Sequence, residues 1–129
     1  MSLKSKGINA ERELVHMFWR KDWACLRIAG SGSSHYPSPD VLVSNRLRRL
    51  AIESKITKEQ KKYFDKNQVF SLKKFADMFG AEPWLAVKFK GHEWYFIATE
   101  DLKETEKGFM VDIAIAKNKG LLFEELISK

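Results

Sequence analysis

Glu53 and Lys55 stand two residues apart in the run Arg49–Ile56, where apolar and polar side chains alternate. On a strand that spacing puts Glu53 and Lys55 on one face, with Leu50, Ile52, Ser54 and Ile56 on the other. Asp40 opens the preceding apolar run, directly after Pro39. If the two runs pair, Asp40 and Glu53 converge near one end of a hairpin. Two convergent carboxylates make a hard-oxygen site suited to Mg²⁺. A metal held there polarises a phosphodiester oxygen and lowers the pKa of a bound water. Lys55 could orient or deprotonate that water, or stabilise transition-state charge. The plain alternative is that Glu53 and Lys55 are an exposed polar stripe on a half-buried sheet.

Glu11 is a third acid of interest. On a helix it shares a face with Leu14, Val15 and Phe18. A carboxylate in line with a core stripe needs a partner or a metal. Alternatively it sits in the first helical turn, in water, where the dipole favours it. Arg12 could reach a phosphate or be an ordinary surface arginine. Arg27 interrupts the apolar run Ala24–Ala29, which suits bidentate phosphate binding on a concave basic surface; the alternative is a residue on the solvent face of that strand. Hydroxyls and backbone N–H groups of the Ser-rich loop 30–39 could serve a phosphate, though such loops are usually only loops. His16, His35 and His92 have no metal-ligand spacing, and Cys25 reads as a small buried apolar residue.

The elements that must position these groups follow from periodicity. A helix is predicted over Asn9–Lys21, with Asn9 as its cap. Strands are predicted over Ala24–Ala29, Asp40–Val43 and Arg49–Ile56. Lys58–Asn67 reads as a polar, basic connection. Gln68–Phe79 reads as an amphipathic helix stopped by Gly80. Trp84–Phe89 and Trp94–Ala98 form a hairpin around Gly91. Phe109–Ala116 alternates as a strand, and Leu121–Ile127 is a short final helix. That order implies an α/β or α+β domain with a central mixed sheet flanked by helices.

The 129 residues fit one domain with a real core. A single cysteine excludes an intrachain disulfide framework. No run is apolar enough to span a membrane, and the first ten residues lack the apolar core of a secretory signal. A soluble cytoplasmic protein is expected. Net charge is +6, and the excess is local: residues 44–74 carry ten basic and three acidic side chains, residues 99–129 five and seven. A basic region on an otherwise balanced chain suits a polyanion such as nucleic acid. Arg46, Arg48, Arg49, Lys58, Lys61 and Lys62 are its candidate phosphate contacts. Phe70, Phe75, Met78 and Phe79 on one helix exceed what a small domain readily hides, which favours a twofold dimer.

Taken in order, Glu11, Pro39-Asp40 and Glu53-Ser54-Lys55 resemble the PD-(D/E)xK nuclease signature. Gly7-x-x-Ala10-Glu11-Arg12-Glu13-Leu14, Arg27-Ile28-Ala29-Gly30-Ser31 and Leu85-Ala86-Val87-Lys88-Phe89 are similar to the archaeal Holliday junction resolvases. The resemblance runs from about Gly7 to the final helix. It implies a restriction-endonuclease-like fold and a homodimer that nicks two opposing strands of a four-way DNA junction, using Mg²⁺ or Mn²⁺. It implies that Asp40, Glu53 and the Ser54 backbone carbonyl ligate metal, and that Glu11 contributes directly or through water. By the same resemblance Lys55 is catalytic, Arg12 and Arg27 engage the DNA backbone, and Ser31 is a further candidate catalytic residue. The segment from Ser31 to Asp40 is longer and richer in Ser, Tyr and Pro than the family pattern. Other PD-(D/E)xK endonucleases or nickases share this signature, and a non-catalytic DNA-binding module could keep the fold.

Overall fold

The first helix, α1 (Leu3–Trp19), starts well before Asn9, and its cap is Ser2, whose hydroxyl accepts the Ser5 N–H. The predicted Asn9 cap is therefore wrong: the apolar stripe that reveals a helix begins only where α1 meets the core, at Ala10, Leu14 and Phe18. The computed structural model describes residues 2–31 and 35–129. After α1 come β1 (Ala24–Arg27), β2 (Val41–Ser44) and β3 (Arg49–Thr57). β2 pairs antiparallel with both neighbours, Val41 lying opposite Arg27 and Ile52. Asn45 shapes the β2–β3 turn by accepting the N–H groups of Leu47 and Arg48 through Oδ1.

Lys58–Asn67 is not a mere connection. It contains β4 (Lys61–Asp65), which runs straight into α2 (Lys66–Phe79). Only Phe64 of β4 is buried, so the strand carries almost no apolar alternation. Asp65 ends it and caps α2: its Oδ1 accepts the Gln68 N–H while Gln68 Oε1 accepts the Asp65 N–H. Gly80, at φ 80°, closes α2 as its spacing predicts. Then follow β5 (Glu82–Phe89), β6 (Trp94–Ala98), a 3₁₀ turn (Thr99–Asp101), β7 (Lys103–Glu104), β8 (Gly108–Asp112), α3 (Ile113–Lys119) and α4 (Phe123–Ile127). The strand expected over Phe109–Ala116 breaks at Asp112, whose carboxylate accepts the Ile115 N–H and starts α3. α4 begins after Leu121 because Leu121 exchanges both backbone hydrogen bonds with Phe96.

A mixed five-stranded sheet in the order β1-β2-β3-β5-β6 forms the centre, and β4-β8-β7 form a small second sheet. β3 and β5 are parallel, joined by the crossover through β4 and α2. Strand alternation divides the core between two layers. Leu50, Ile52, Trp84 and Ala86 join Leu14 and Phe18 of α1, whereas Ala51, Leu85 and Val87 join Val69, Leu72 and Ala76 of α2. Glu53 and Lys55, in phase with Ala51, thus fall on the α2 side. Among the described residues, no helix is long and apolar enough to cross a membrane.

Two glycines should respond in opposite directions. A Cβ at Gly108 would lie 2.3 Å from the Phe64 backbone oxygen, in the β4–β8 ladder, so Gly108→Ala must push two strands apart. Gly7 lies inside α1 with open space around it. Urea unfolding should show Gly108→Ala losing on the order of 2 kcal/mol and Gly7→Ala gaining about 0.5–1 kcal/mol. Equal stability of the Gly108→Ala variant and wild type would contradict that packing.

Candidate active site

Asp40 sits where the hairpin ladder gives out. Its backbone N–H donates to the Ile52 carbonyl and its own carbonyl accepts the Ile28 N–H, so it is anchored between β1 and β3. The residue is 7% exposed, and its carboxylate has two donors: Ser31 Oγ–H reaches Oδ1 at 2.6 Å, and the Ser54 backbone N–H reaches Oδ2 at 2.9 Å. A buried carboxylate needs such donors. N–H and C=O of one strand residue point the same way, so the Ser54 carbonyl faces the strand edge that Asp40 occupies.

Glu53 and Lys55 project together from β3, with Lys55 Nζ 3.7 Å from Glu53 Oε2. Burial, reinforced by the negative charge of Asp40, raises the Glu53 pKa to about 7, against the pull of Lys55. Glu11 lies in the third turn of α1, not the first, which removes the helix-dipole alternative. It pairs with Arg27, Nε to Oε1 at 3.6 Å, and both side chains are largely buried. Burial first, and then the charge of Asp40, raises the Glu11 pKa; Arg27 and Lys55 oppose this. Three carboxylates therefore repel one another near one lysine and one arginine. An exposed polar stripe does not fit these environments.

Among the described residues, no three His, Cys, Asp or Glu side chains come close enough to hold a metal by themselves. Glu11, expected to contribute directly or through water, is paired with Arg27 beside these two acids. Asp40 and Glu53 form a hard-oxygen pair whose mutual repulsion a cation would relieve. That set fits Mg²⁺, which commonly takes one or two carboxylates and completes its shell with water and substrate phosphate. The pair opens into a cavity of about 490 Å³. Ser31, His35, Tyr36 and Ser38 line one part of it, and Asp65, Asn67, Gln68 and Ser71 another. Sequence periodicity did not bring the α2 residues into the site, since they converge on it only through the β4–α2 crossover.

Residues 2–129 match the family model described as archaeal Holliday junction resolvase (Hjc). The chain belongs to the archaeal Holliday junction resolvase family. A crossover junction endodeoxyribonuclease Hjc of Archaeoglobus fulgidus is 38% identical over 130 residues, covering 95% of this chain and 96% of that protein. An Hjc of Methanocaldococcus jannaschii is 32% identical, covering 96% of this chain and 88% of the relative. The solved structure of A. fulgidus Hjc superposes with a TM-score of 0.87 at 37% identity, covering 93% of this chain and 98% of that one. The mixed α+β architecture expected from the sequence is thus that of a family member of known structure.

Within this resolvase-family fold the basic residues disperse. Arg48 is not available to a phosphate. It forms a bidentate pair with Glu82 at 2.8 and 2.9 Å, donates to the Leu126 carbonyl at 2.6 Å, and lies over the Trp23 ring. Sequence proximity to other arginines had grouped it with them, but its partners lie on β5 and α4. Arg46 is exposed in the β2–β3 turn, and Arg49 donates to the Gly80 carbonyl. Lys58, Lys61 and Lys62 lie beyond the opposite end of β3, past Lys55. Arg12 is exposed on α1, next to Glu11.

The raised Glu53 pKa has a sign that can be measured. The folded chain binds this proton more tightly than the unfolded chain. Its contribution favours folding below the ordinary carboxylate range, and is lost as pH rises toward about 7. In chelator, Glu53→Gln should be more stable than wild type at pH 8, by on the order of 2 kcal/mol. The difference should shrink toward pH 4. A constant difference from pH 4 to pH 8 in thermal unfolding would contradict the buried-carboxyl environment.

Proposed function

We propose that this chain is a metal-dependent endonuclease that resolves four-way DNA junctions, nicking opposing strands as a homodimer, in the cytoplasm. The convergence of Asp40, Glu53 and Lys55 in one cavity carries the reading, and membership of the resolvase family along residues 2–129 supports the substrate. Relatives named crossover junction endodeoxyribonuclease point to the same chemistry.

Asp40 and Glu53 would hold Mg²⁺, or Mn²⁺ in its place, with the Ser54 carbonyl on the same strand edge. Bound there, the metal supplies Lewis-acid polarisation of the phosphodiester and a water of lowered pKa. Ser31 and the Ser54 N–H keep the Asp40 carboxylate in one orientation. Lys55 neutralises Glu53 in the resting site and can turn its ammonium to a non-bridging phosphate oxygen. Glu11 positions Arg27, whose remaining guanidinium donors would face the DNA backbone. Arg12, Lys58, Lys61 and Lys62 extend the phosphate contacts, while Arg46 and Arg49 lie toward the other end of β3. Exposed apolar side chains on α2 support the dimer: Phe70, Met78 and Phe79 are 54%, 79% and 48% exposed.

Cleavage of a labelled four-way junction in Mg²⁺, beside duplex, flap and nicked DNA of the same sequence, tests the reading. Wild type should cut the junction preferentially. Asp40→Asn, Glu53→Gln and Lys55→Ala should each cut about a hundredfold more slowly or worse, yet still shift a junction in Ca²⁺, because binding comes from dispersed basic contacts. Equal cleavage of all substrates would leave a nuclease of the wider PD-(D/E)xK class. Near wild-type cutting by the Asp40 and Glu53 variants would disprove the metal site.

Assembly is tested separately by sedimentation at micromolar concentration. Wild type should run as a dimer, and a Phe70→Glu, Met78→Glu double variant should shift toward monomer. A wild-type monomer across that range would remove the dimer from the proposal.

A further inference from the structure

The cavity that holds Asp40, Glu53 and Lys55 is lined on its α2 side by groups that the chemistry above does not use: Asn67, Gln68 and Ser71. Gln68 differs from its neighbours in being locked. Its Oε1 accepts the Asp65 N–H at 3.1 Å, while its own backbone N–H donates to Asp65 Oδ1 at 2.9 Å. Since the Asp65 N–H is a donor, the amide can be oriented in only one sense, oxygen toward Asp65. A carboxamide is planar, so fixing the oxygen also fixes the nitrogen. The Gln68 amide N–H₂ has no hydrogen-bond partner among the described residues.

A resting cap does not require glutamine. Glutamate at this position makes the same reciprocal bonds and adds a favourable interaction with the helix dipole. Glutamine instead leaves two N–H donors on a side chain that lines the cavity together with Asp40, Glu53 and Asp65. A phosphodiester entering that cavity meets carboxylates on several sides. A neutral donor attracts its oxygens without competing with a metal for the carboxylates, whereas a glutamate would repel it.

We propose that Gln68 is a substrate-contact residue, its side-chain N–H₂ donating to a phosphate oxygen of the DNA strand that lies across Asp40, Glu53 and Lys55. This rests on the endonuclease reading above. The helix cap and the substrate contact then share one side chain: the oxygen holds the β4–α2 junction and the nitrogen holds the strand. Gln68 thereby sets where the backbone sits relative to the carboxylate pair, and Ser71, one turn further along α2, extends the same neutral wall.

Gln68→Glu separates the two roles, because it keeps the cap and removes the donor. Its thermal stability should equal or exceed that of wild type, while single-turnover cleavage of a junction in saturating Mg²⁺ should fall about tenfold or more, the effect of losing one hydrogen bond to a charged group. Gln68→Ala loses both and should be less stable and slower. The decisive readout uses junctions with single neutral methylphosphonate linkages scanned around the cut site. At the contacted position the neutral linkage should slow wild type but restore part of the Gln68→Glu rate, since the repulsion is gone; a purely structural role would give no such position. Wild-type cleavage with an equally active Gln68→Glu variant, or a scan in which the two respond alike everywhere, overturns the proposal alone. A wild type that cuts no junction overturns it together with the endonuclease reading.

Discussion

The site depends on the anchoring of Asp40. The β2 ladder ends there, yet the residue keeps backbone bonds to Ile28, just past β1, and to Ile52 of β3. Its carboxylate then turns onto the Ser54 N–H, replacing a strand bond that β2 no longer supplies. A single buried acid thus closes the end of a sheet and faces the cavity. Without the Ser31 hydroxyl and the Ser54 amide, burying that charge would be costly. The loop bearing Ser31, the strand bearing Ser54, Glu53 and Lys55, and the entry into β2 are all held in mutual register through this one side chain.

A second constraint is the division of β3 between two cores. Leu50 and Ile52 face α1 while Ala51 faces α2, and all three are fully buried. One strand must therefore be apolar on both faces along its first half. Past Ile52 its α2 face turns polar, and there Glu53 and Lys55 emerge beside the start of α2. The β4–α2 crossover that makes β3 and β5 parallel also delivers Asp65, Asn67 and Gln68 to the same cavity. Topology and site are thus linked: a simple hairpin after β3 would have left the acids without that wall.

Charge is organised just as unevenly. The basic stretch that looks continuous along the chain is split in space by β3, with arginines near its beginning and lysines beyond its end. Arg48 ties the β2–β3 turn to Glu82 and to α4, while Arg27 is held against Glu11. Arginine suits both tasks because its planar fork can satisfy several acceptors at once. Net charge describes attraction to a polyanion but says little about which residues are free to make it.

Some of this was determined by sequence alone. The two-residue spacing of Glu53 and Lys55 is a property of any strand, and the alternation of Leu50, Ile52 and Ser54 decided their face. The approach of Asp40 to β3 followed from two short strands joined by a turn, and the stop at Gly80 from a residue able to take positive φ. Other features were decided only in three dimensions. β4 carries one buried side chain and needs β8, more than forty residues later, to exist as a strand. Asp112 overrides the alternation of Phe109–Ala116 because its cap on Ile115 starts a helix that the core then buries at Ala116. The contacts of Glu11, Arg48 and Gln68 depend on Arg27, Glu82 and Asp65. Local periodicity encodes which way a side chain points, whereas what it meets there is set by distant segments brought together by packing.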